Sequence, residues 1–128
     1  MSAVIPASQR DFASTLTSRQ EPVLVDFSAS WCGPCQAMAP ALESFAEHHR
    51  NDLAVVKLDI DEAPDIAARY SIRSVPTLML FKDGKPLAMQ AGMMSEGQLD
   101  RFVEKHLPRK EREVAQQDPT RPQIDLDW

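Results

Sequence analysis

Residues 22–35, which read PVLVDFSASWCGPC, carry the strongest structural signal in the chain. Residues 22–29 form an almost continuous apolar run that holds a single acid, Asp26. Such a run is typical of a strand that is buried on both faces of a sheet. From Cys32 and Cys35 onward, apolar residues recur at helical spacing to about residue 49. The stretch therefore predicts a buried strand that leads directly into a long helix, with both cysteines at the junction.

The cysteines are the only two in the chain, and three positions separate them. A disulfide across so short a loop removes little entropy from the unfolded chain, so a structural staple is a poor explanation. A tetrahedral zinc site needs four ligands, and His48, His49 and His106 show no second paired spacing. Over these two alternatives, the residues favour a reversible dithiol–disulfide pair, and we expect no metal.

The junction itself suits thiol chemistry. Unpaired amides and the dipole at a helix N-terminus favour the thiolate form of Cys32, and only the thiolate attacks a disulfide. Cys35 follows one helical turn later on the same face, within reach of the Cys32 sulfur. Gly33 and Pro34 shape the turn, and a proline needs no amide donor at a helix start. We expect Cys32 to attack a substrate disulfide and Cys35 to resolve the mixed disulfide.

Alternating elements surround this stretch and predict an α/β fold. The predicted mixed sheet has helices on both faces because strand–helix–strand units are followed by a hairpin and a last helix. The predicted elements are a short helix capped by Ser8, strand 22–29, helix 32–49 kinked at Pro40, strand 53–60, helix 61–70 capped by Asp61, strands 77–82 and 87–91 joined through Asp83-Gly84, and a helix opened by a capping box from Ser95 to Gln98.

Composition narrows the function. The 128 residues are 43% hydrophobic, which suits one domain with a proper core. The net charge of -5 argues against nucleic-acid binding as the main role, because an acidic protein repels the phosphate backbone. No stretch approaches the roughly 18 apolar residues of a membrane span, and the first twelve residues lack a basic start followed by an apolar run. We therefore expect neither membrane insertion nor export.

The last twenty residues differ from the rest. Residues 109–128 hold four basic and five acidic residues and two prolines, a composition that buries too little surface to offset its ordering cost. We predict a domain over residues 1–108 and a flexible tail over 109–128. A docking motif is the alternative, because Ile124, Leu126 and Trp128 would share one side of an extended strand.

Several motifs together resemble the thioredoxin family over roughly residues 5–107. Trp31-Cys32-Gly33-Pro34-Cys35 is that family's signature pentapeptide. The other matching motifs, in order, are Val25-Asp26-Phe27, Lys57-Leu58-Asp59, Val75-Pro76-Thr77, Phe81-Lys82-Asp83-Gly84 and Gly92. The resemblance implies the thioredoxin fold and a protein-disulfide reductase that carries electrons in cell redox homeostasis.

The resemblance also implies roles for residues outside the cysteine pair. Asp26 would help to deprotonate Cys35, and desolvation would raise the pKa of this acid. Lys57 would be its neighbour across the sheet. A structural ion pair or a solvent-facing charge are the alternatives for these two residues. Pro76 would follow a cis peptide bond and face the cysteines.

A rim for docking client proteins is implied as well. Its residues would be Trp31, Gly33, Pro34, Val75, Pro76 and Gly92, with Ser74 beside them. Met93 and Met94 either extend this rim or fill the core. A separate flavin-dependent thioredoxin reductase that uses NADPH would recharge the chain, which itself would bind no cofactor. We expect a monomer in the cytoplasm.

Two departures from the family pattern stand close to the cysteines. Ser28 occupies a position where many thioredoxins carry tryptophan, which opens the site. Gln36 follows Cys35 where lysine is common, so one cation fewer stabilises the thiolate.

Other functions also stay open: a binding module or assembly factor, or a dedicated reductant for one enzyme. Whether the chain is better termed an enzyme or a redox carrier stays open too.

Overall fold

The computed structural model describes residues 2–107. Its elements in chain order are β1 (Val4–Ala7), α1 (Phe12–Thr17), β2 (Val23–Ser28), α2 (Gly33–His48), β3 (Ala54–Asp59), α3 (Pro64–Arg69), β4 (Thr77–Lys82), β5 (Lys85–Ala91) and α4 (Glu96–His106). The predicted tail 109–128, with its alternative docking residues Ile124, Leu126 and Trp128, and the predicted domain end at residue 108 lie outside the described residues.

The five strands form one mixed sheet in the order β1-β3-β2-β4-β5. Strands β1, β3 and β2 are parallel, whereas β4 runs antiparallel to β2 and β5 antiparallel to β4. All six residues of β2 are buried, because this strand is central and covered on both faces. The continuous apolar run thus predicted the position of β2 correctly.

Helices cover both faces of the sheet, as predicted. On one face, α2 and α4 pack through a cluster that includes Met38, Phe45 and Phe102. On the other face, α1 and α3 contribute Phe12 and Ile66 to a second cluster. The crossovers after β2 and β3 therefore leave the sheet on opposite sides.

Two local predictions are confirmed. The turn between β4 and β5 has φ of 54° at Asp83 and 79° at Gly84, the left-handed backbone that a tight hairpin requires. The capping box at the start of α4 is complete: Ser95 Oγ accepts the backbone N–H of Gln98, and the Gln98 side chain accepts that of Ser95. Helix α2 continues through Pro40 to His48.

Other local predictions are wrong. Ser8 does not cap α1, because Ser8 and Asp11 accept each other's backbone N–H groups in the turn before it. Asp61 does not cap α3, which begins at Pro64 with Ala63 in the capping position. The carboxylate of Asp61 is occupied by a distant partner, Trp31.

Strand β1 is absent from the sequence prediction. It has four residues, of which three are half-buried and Pro6 is exposed. So short a strand with a proline gives no clear alternation, and a proline is tolerated there because β1 lies at the sheet edge.

Candidate active site

The cysteine pair lies where β2 passes into α2, as predicted. Cys32 occupies the N-capping position of α2, and its Sγ accepts the backbone N–H of Cys35 at 3.1 Å. Pro34 lies in the first turn, where its missing N–H leaves no gap in the helix. A Cβ at Gly33 would meet open space, so sterics do not require glycine there.

The two cysteines are joined by a disulfide, with their Cα atoms 5.3 Å apart. Each residue is only 3% exposed. They form a small apolar cluster with Ala29, against which Val75 also packs. The hydrogen-bond donor at the helix N-terminus favours negative charge on the Cys32 sulfur, whereas the apolar surroundings of the pair oppose it.

The loop before β4 faces Cys32. The Val75–Pro76 peptide bond is cis, as predicted. The carbonyl oxygen of Val75 lies 3.7 Å from Cys32 Sγ. The Pro76 carbonyl accepts the backbone N–H of Gly92 at 2.9 Å, so the loop is held by the end of β5. Gly92 has φ of 105°, a conformation that favours glycine.

Trp31 lies between β2 and α2, directly before Cys32. Its side chain is 65% exposed, and its indole Nε1–H donates to Asp61 Oδ2 at 2.7 Å. Asp61 is in turn positioned through its backbone N–H, which donates to Asp59 Oδ1 at 2.8 Å. The sequence did not predict that Asp61 binds the indole of Trp31. The only hint was the position of this acid, directly after the predicted buried strand 53–60.

Asp26 is buried in the middle of β2, with only 2% of its surface exposed. Desolvation raises the pKa of its carboxyl from 3.8 to about 6, and the positive charge of Lys57 opposes part of this rise. The two residues are register partners across β2 and β3, as predicted. Within the described part of the chain, Asp26 Oδ1 has no hydrogen-bond partner.

The predicted rim separates into surface and buried parts. Trp31, Gly33, Pro34 and Gly92 are exposed, whereas Val75 is half-buried and Pro76 is buried. Of the two methionines, Met93 is 52% exposed and lies at the surface, while Met94 is 2% exposed and belongs to the core. Met94 therefore fills the core, whereas a place for Met93 in the docking rim stays a prediction.

The histidines serve other contacts. His48 Nδ1 lies 2.6 Å from Glu96, and Nε2 of His49, the residue that caps the C-terminus of α2, lies 2.7 Å from Asp100. Both histidines therefore link the end of α2 to α4. Over residues 2–107, no group of three potential metal ligands comes together. In the same range, no helix is both long and apolar enough to cross a bilayer.

A helix-capping cysteine, a second cysteine one turn later and a facing cis-proline loop define a thiol–disulfide exchange protein. A family model described as Thioredoxin matches residues 3–105 of the chain. The chain therefore belongs to the thioredoxin family.

Curated relatives agree with this assignment. A thioredoxin-like protein of Synechocystis sp. is 51% identical over 89 residues, which cover 70% of this chain and 85% of the relative. Thioredoxin 1 of Nostoc sp. is 41% identical over 107 residues, 84% of this chain and all of the relative. Thioredoxin of Acidithiobacillus ferridurans is 43% identical over 105 residues, 82% of this chain and 97% of the relative.

The predicted fold and function are thereby confirmed at the level of the family. The fold is the mixed α/β thioredoxin fold, and the chain is a thiol–disulfide reductase with a redox-active cysteine pair. Disulfide-containing clients and a reductase partner go with this family in general. A pure binding module and a reductant dedicated to one enzyme are not favoured.

Proposed function

We propose that the chain reduces disulfide bonds of client proteins, with Cys32 as the attacking thiolate and Cys35 as the resolving thiol. The observation that carries this order is the position of Cys32 as N-cap of α2, where its sulfur accepts the N–H of Cys35. A thiolate there gains a hydrogen bond and the helix dipole, which Cys35, inside the first turn, does not.

The reaction proceeds in two exchanges. Cys32 thiolate attacks one sulfur of the client disulfide, that S–S bond breaks, and the client's other sulfur leaves as a thiolate. Cys35 thiolate then attacks Cys32 Sγ and displaces the second client sulfur. The client gains two electrons, and the protons of the two protein thiols end on the two client thiolates.

Asp26 is proposed to accept the proton of Cys35. A carboxyl whose pKa is raised to about 6 is half-ionised near the pH at which a base is most useful. Lys57 is proposed to hold this pKa below the value that burial alone would produce. Both are proposed to act on the cysteines from within the sheet.

Clients are proposed to dock as extended segments along the loop before β4. The hydrogen bond from the Gly92 N–H to the Pro76 carbonyl holds this loop in place, and the carbonyl of Val75 points toward Cys32. Strand-like pairing with a loop of this kind gives affinity through main-chain hydrogen bonds. Exposed Trp31, Gly33 and Pro34 would border the client on the other side.

The proposal also includes the partner that reduces the chain, the oligomeric state, the cellular location and the domain boundaries. A separate flavoprotein reductase that uses NADPH returns the chain to the dithiol form, and the chain itself carries no cofactor. It works as a monomer in the cytoplasm, where NADPH keeps it reduced. The reductase domain spans residues 1–108, and 109–128 form a flexible tail. Leu107 is fully buried, so the domain extends at least as far as this residue.

Trapping of mixed disulfides tests the order of the cysteines. Cys35→Ser should accumulate covalent complexes with client proteins that dithiothreitol releases, because Cys32 attacks and no resolving thiol follows. Cys32→Ser should trap none. Reduction of insulin by the unaltered chain, supplied with NADPH and a thioredoxin reductase, should be lost in both variants. Trapping by Cys32→Ser instead would contradict the proposed order.

Deletion of 109–128 should leave insulin reduction unchanged.

A further inference from the structure

Residues 92–95 form the turn that joins β5 to α4, and hydrogen bonds hold this turn to two other parts of the fold. The N–H of Gly92 donates to the Pro76 carbonyl at 2.9 Å. The N–H of Met94 donates to the thioether sulfur of Met38, in α2, at 3.4 Å. We name this segment the docking turn, because its first residue holds the loop along which clients are proposed to dock.

The bond between Met94 and Met38 lies in the core. Met38 is completely buried and Met94 is 2% exposed, so water cannot take the place of the sulfur. Within residues 2–107, the sulfur is the only acceptor that this N–H reaches. A thioether is a weak acceptor, but a buried N–H that has no acceptor at all destabilises the fold. The docking turn would therefore have to move if the sulfur were removed.

Met38 belongs to the helix that carries the cysteine pair. It follows Cys35 by one helical turn on the buried face of α2. Through the docking turn it is connected to the Pro76 carbonyl, and the neighbouring Val75 carbonyl lies 3.7 Å from Cys32 Sγ. The contacts thus form a closed ring that begins at Met38 in α2 and ends at the N-cap of the same helix.

The docking turn also carries an exposed apolar side chain. Met93 is 52% exposed, and it lies between the two residues whose N–H groups are bonded to Pro76 and Met38. The main chain at Met93 is therefore held in place before a client arrives. A contact on a preorganised segment costs less ordering entropy than a contact on a loose one.

We propose that Met38 is a positioning residue for client docking. Its buried sulfur fixes the docking turn, and the turn in its first residue fixes the loop beside Cys32. The proposal rests on the proposed function, because it concerns how a protein client binds. The exchange chemistry at the cysteines does not depend on it, so a small disulfide that needs no docking loop should react independently of Met38.

Met38→Leu tests this role, because leucine fills a similar volume and removes the acceptor. Reduction of insulin by the prereduced chain is followed in single turnovers at increasing insulin concentration. The half-saturating insulin concentration should rise about threefold to tenfold, which corresponds to one lost hydrogen bond, whereas the limiting rate should change by less than about twofold. Hydroxyethyl disulfide, which is too small to lie along the docking loop, should oxidise the variant and the unaltered chain at the same rate.

Met79→Leu is the matched control. Met79 is also a buried methionine, but it lies in β4 and belongs to the cluster on the opposite face of the sheet. Within the described part of the chain, its sulfur accepts no hydrogen bond. The same substitution there should change the kinetics with neither substrate.

Hydrogen exchange measures the contact itself. The amide of Met94, followed by NMR in the isotope-labelled chain, should exchange at least about tenfold faster in Met38→Leu than in the unaltered chain. Met79→Leu should leave this rate unchanged. The measurement needs neither a client nor a reductase, so it reports on the docking turn even where insulin is not reduced.

The outcomes separate this inference from the proposed function. An unchanged half-saturating insulin concentration in Met38→Leu would overturn the inference, whatever the exchange rate of Met94. Equal losses with insulin and hydroxyethyl disulfide would overturn it too, because the effect would then lie at the cysteines and not in docking. Equal effects of Met79→Leu would do the same. Failure of the unaltered chain to reduce insulin would contradict the proposed function instead.

Discussion

At the scale of single residues, Asp26 shows how one buried carboxyl links chemistry to stability. Its pKa in the folded chain is raised to about 6 from 3.8, so the folded state holds the proton more tightly than the unfolded state. Below about pH 3.8 both states are protonated. As pH rises from there toward 6, only the unfolded state ionises, and the free energy of unfolding falls.

We predict that Asp26→Asn stabilises the protein above pH 6. The gain should approach about 3 kcal/mol, the equivalent of the shift in pKa, and should shrink toward zero as pH falls to 4. Urea denaturation at a series of pH values measures it. Asp83→Asn, at an exposed carboxylate, is the control. A gain that is independent of pH would show that ionisation is not its cause.

The same substitution should slow catalysis. If Asp26 accepts the proton of Cys35, Asp26→Asn slows the resolving step and prolongs the mixed disulfide with insulin. Ionisation of the Asp26 carboxyl should make the rate of the resolving step depend on pH between 5 and 7, and this dependence should disappear in the variant. Rapid-quench kinetics on both proteins, with Asp83→Asn again as control, measures both effects.

Asp61 is a positioning residue for Trp31. We predict that Asp61→Ala lowers kcat/KM for insulin by about threefold to tenfold, which corresponds to one lost hydrogen bond. Asp61→Asn keeps an acceptor for the indole N–H and should restore most of the activity. In a Trp128→Phe background, the fluorescence of Trp31 should change in the alanine variant and not in the asparagine variant. An equal loss in both variants would argue for charge instead of position.

At the scale of elements, helix α4 is defined by its first turn. Ser95→Ala removes one half of the capping box and should lower the free energy of unfolding by about 1 kcal/mol. Ser18→Ala alters an exposed serine that ends α1 without an observed side-chain bond and should change it little. Thermal or urea unfolding of both variants compares them, and equal effects would contradict the assigned role of the cap.

Elements with local signals were predictable, and those without were not. The capping box and the Asp83-Gly84 turn involve residues within three positions of each other, so their geometry is written in adjacent residues. Asp61 was wrongly predicted as a helix cap because its actual partner, Trp31, is 30 residues away. Strand β1 depends on pairing with β3, which no pattern in four residues can indicate.

At the scale of the molecule, the central sheet sets the stability. Leu80 is completely buried in β4, whereas Leu87 in the edge strand β5 is 45% exposed. We predict that Leu80→Ala lowers the free energy of unfolding by about 2–5 kcal/mol because it leaves a cavity. Leu87→Ala, the same change in the edge strand, should change the free energy of unfolding by no more than about 0.5 kcal/mol. Similar losses in the two variants, measured by urea denaturation, would contradict this assignment of the core.

The order of the strands also sets the surroundings of the cysteines. Because β2 lies between β3 and β4, the junction that carries the cysteines has Lys57 and Asp59 on one side and the loop of Val75 on the other. One side provides charged side chains, and the other provides the backbone next to Cys32.

The sequence by itself determined what depends on neighbours along the chain. A continuous apolar run, a cysteine pair one turn apart and a proline at the helix start are enough to predict a buried strand, a helix and a thiol site between them. Period and spacing are local properties, and burial of β2 follows from its composition.

Only the tertiary structure decided which distant groups meet at that site. The Val75 carbonyl reaches Cys32 across 43 positions, and Trp31 reaches Asp61 across 30. The Met94 N–H reaches the sulfur of Met38 across 56 positions. These contacts depend on strand order and register, which are settled when the sheet buries its two faces, and no local pattern carries that information.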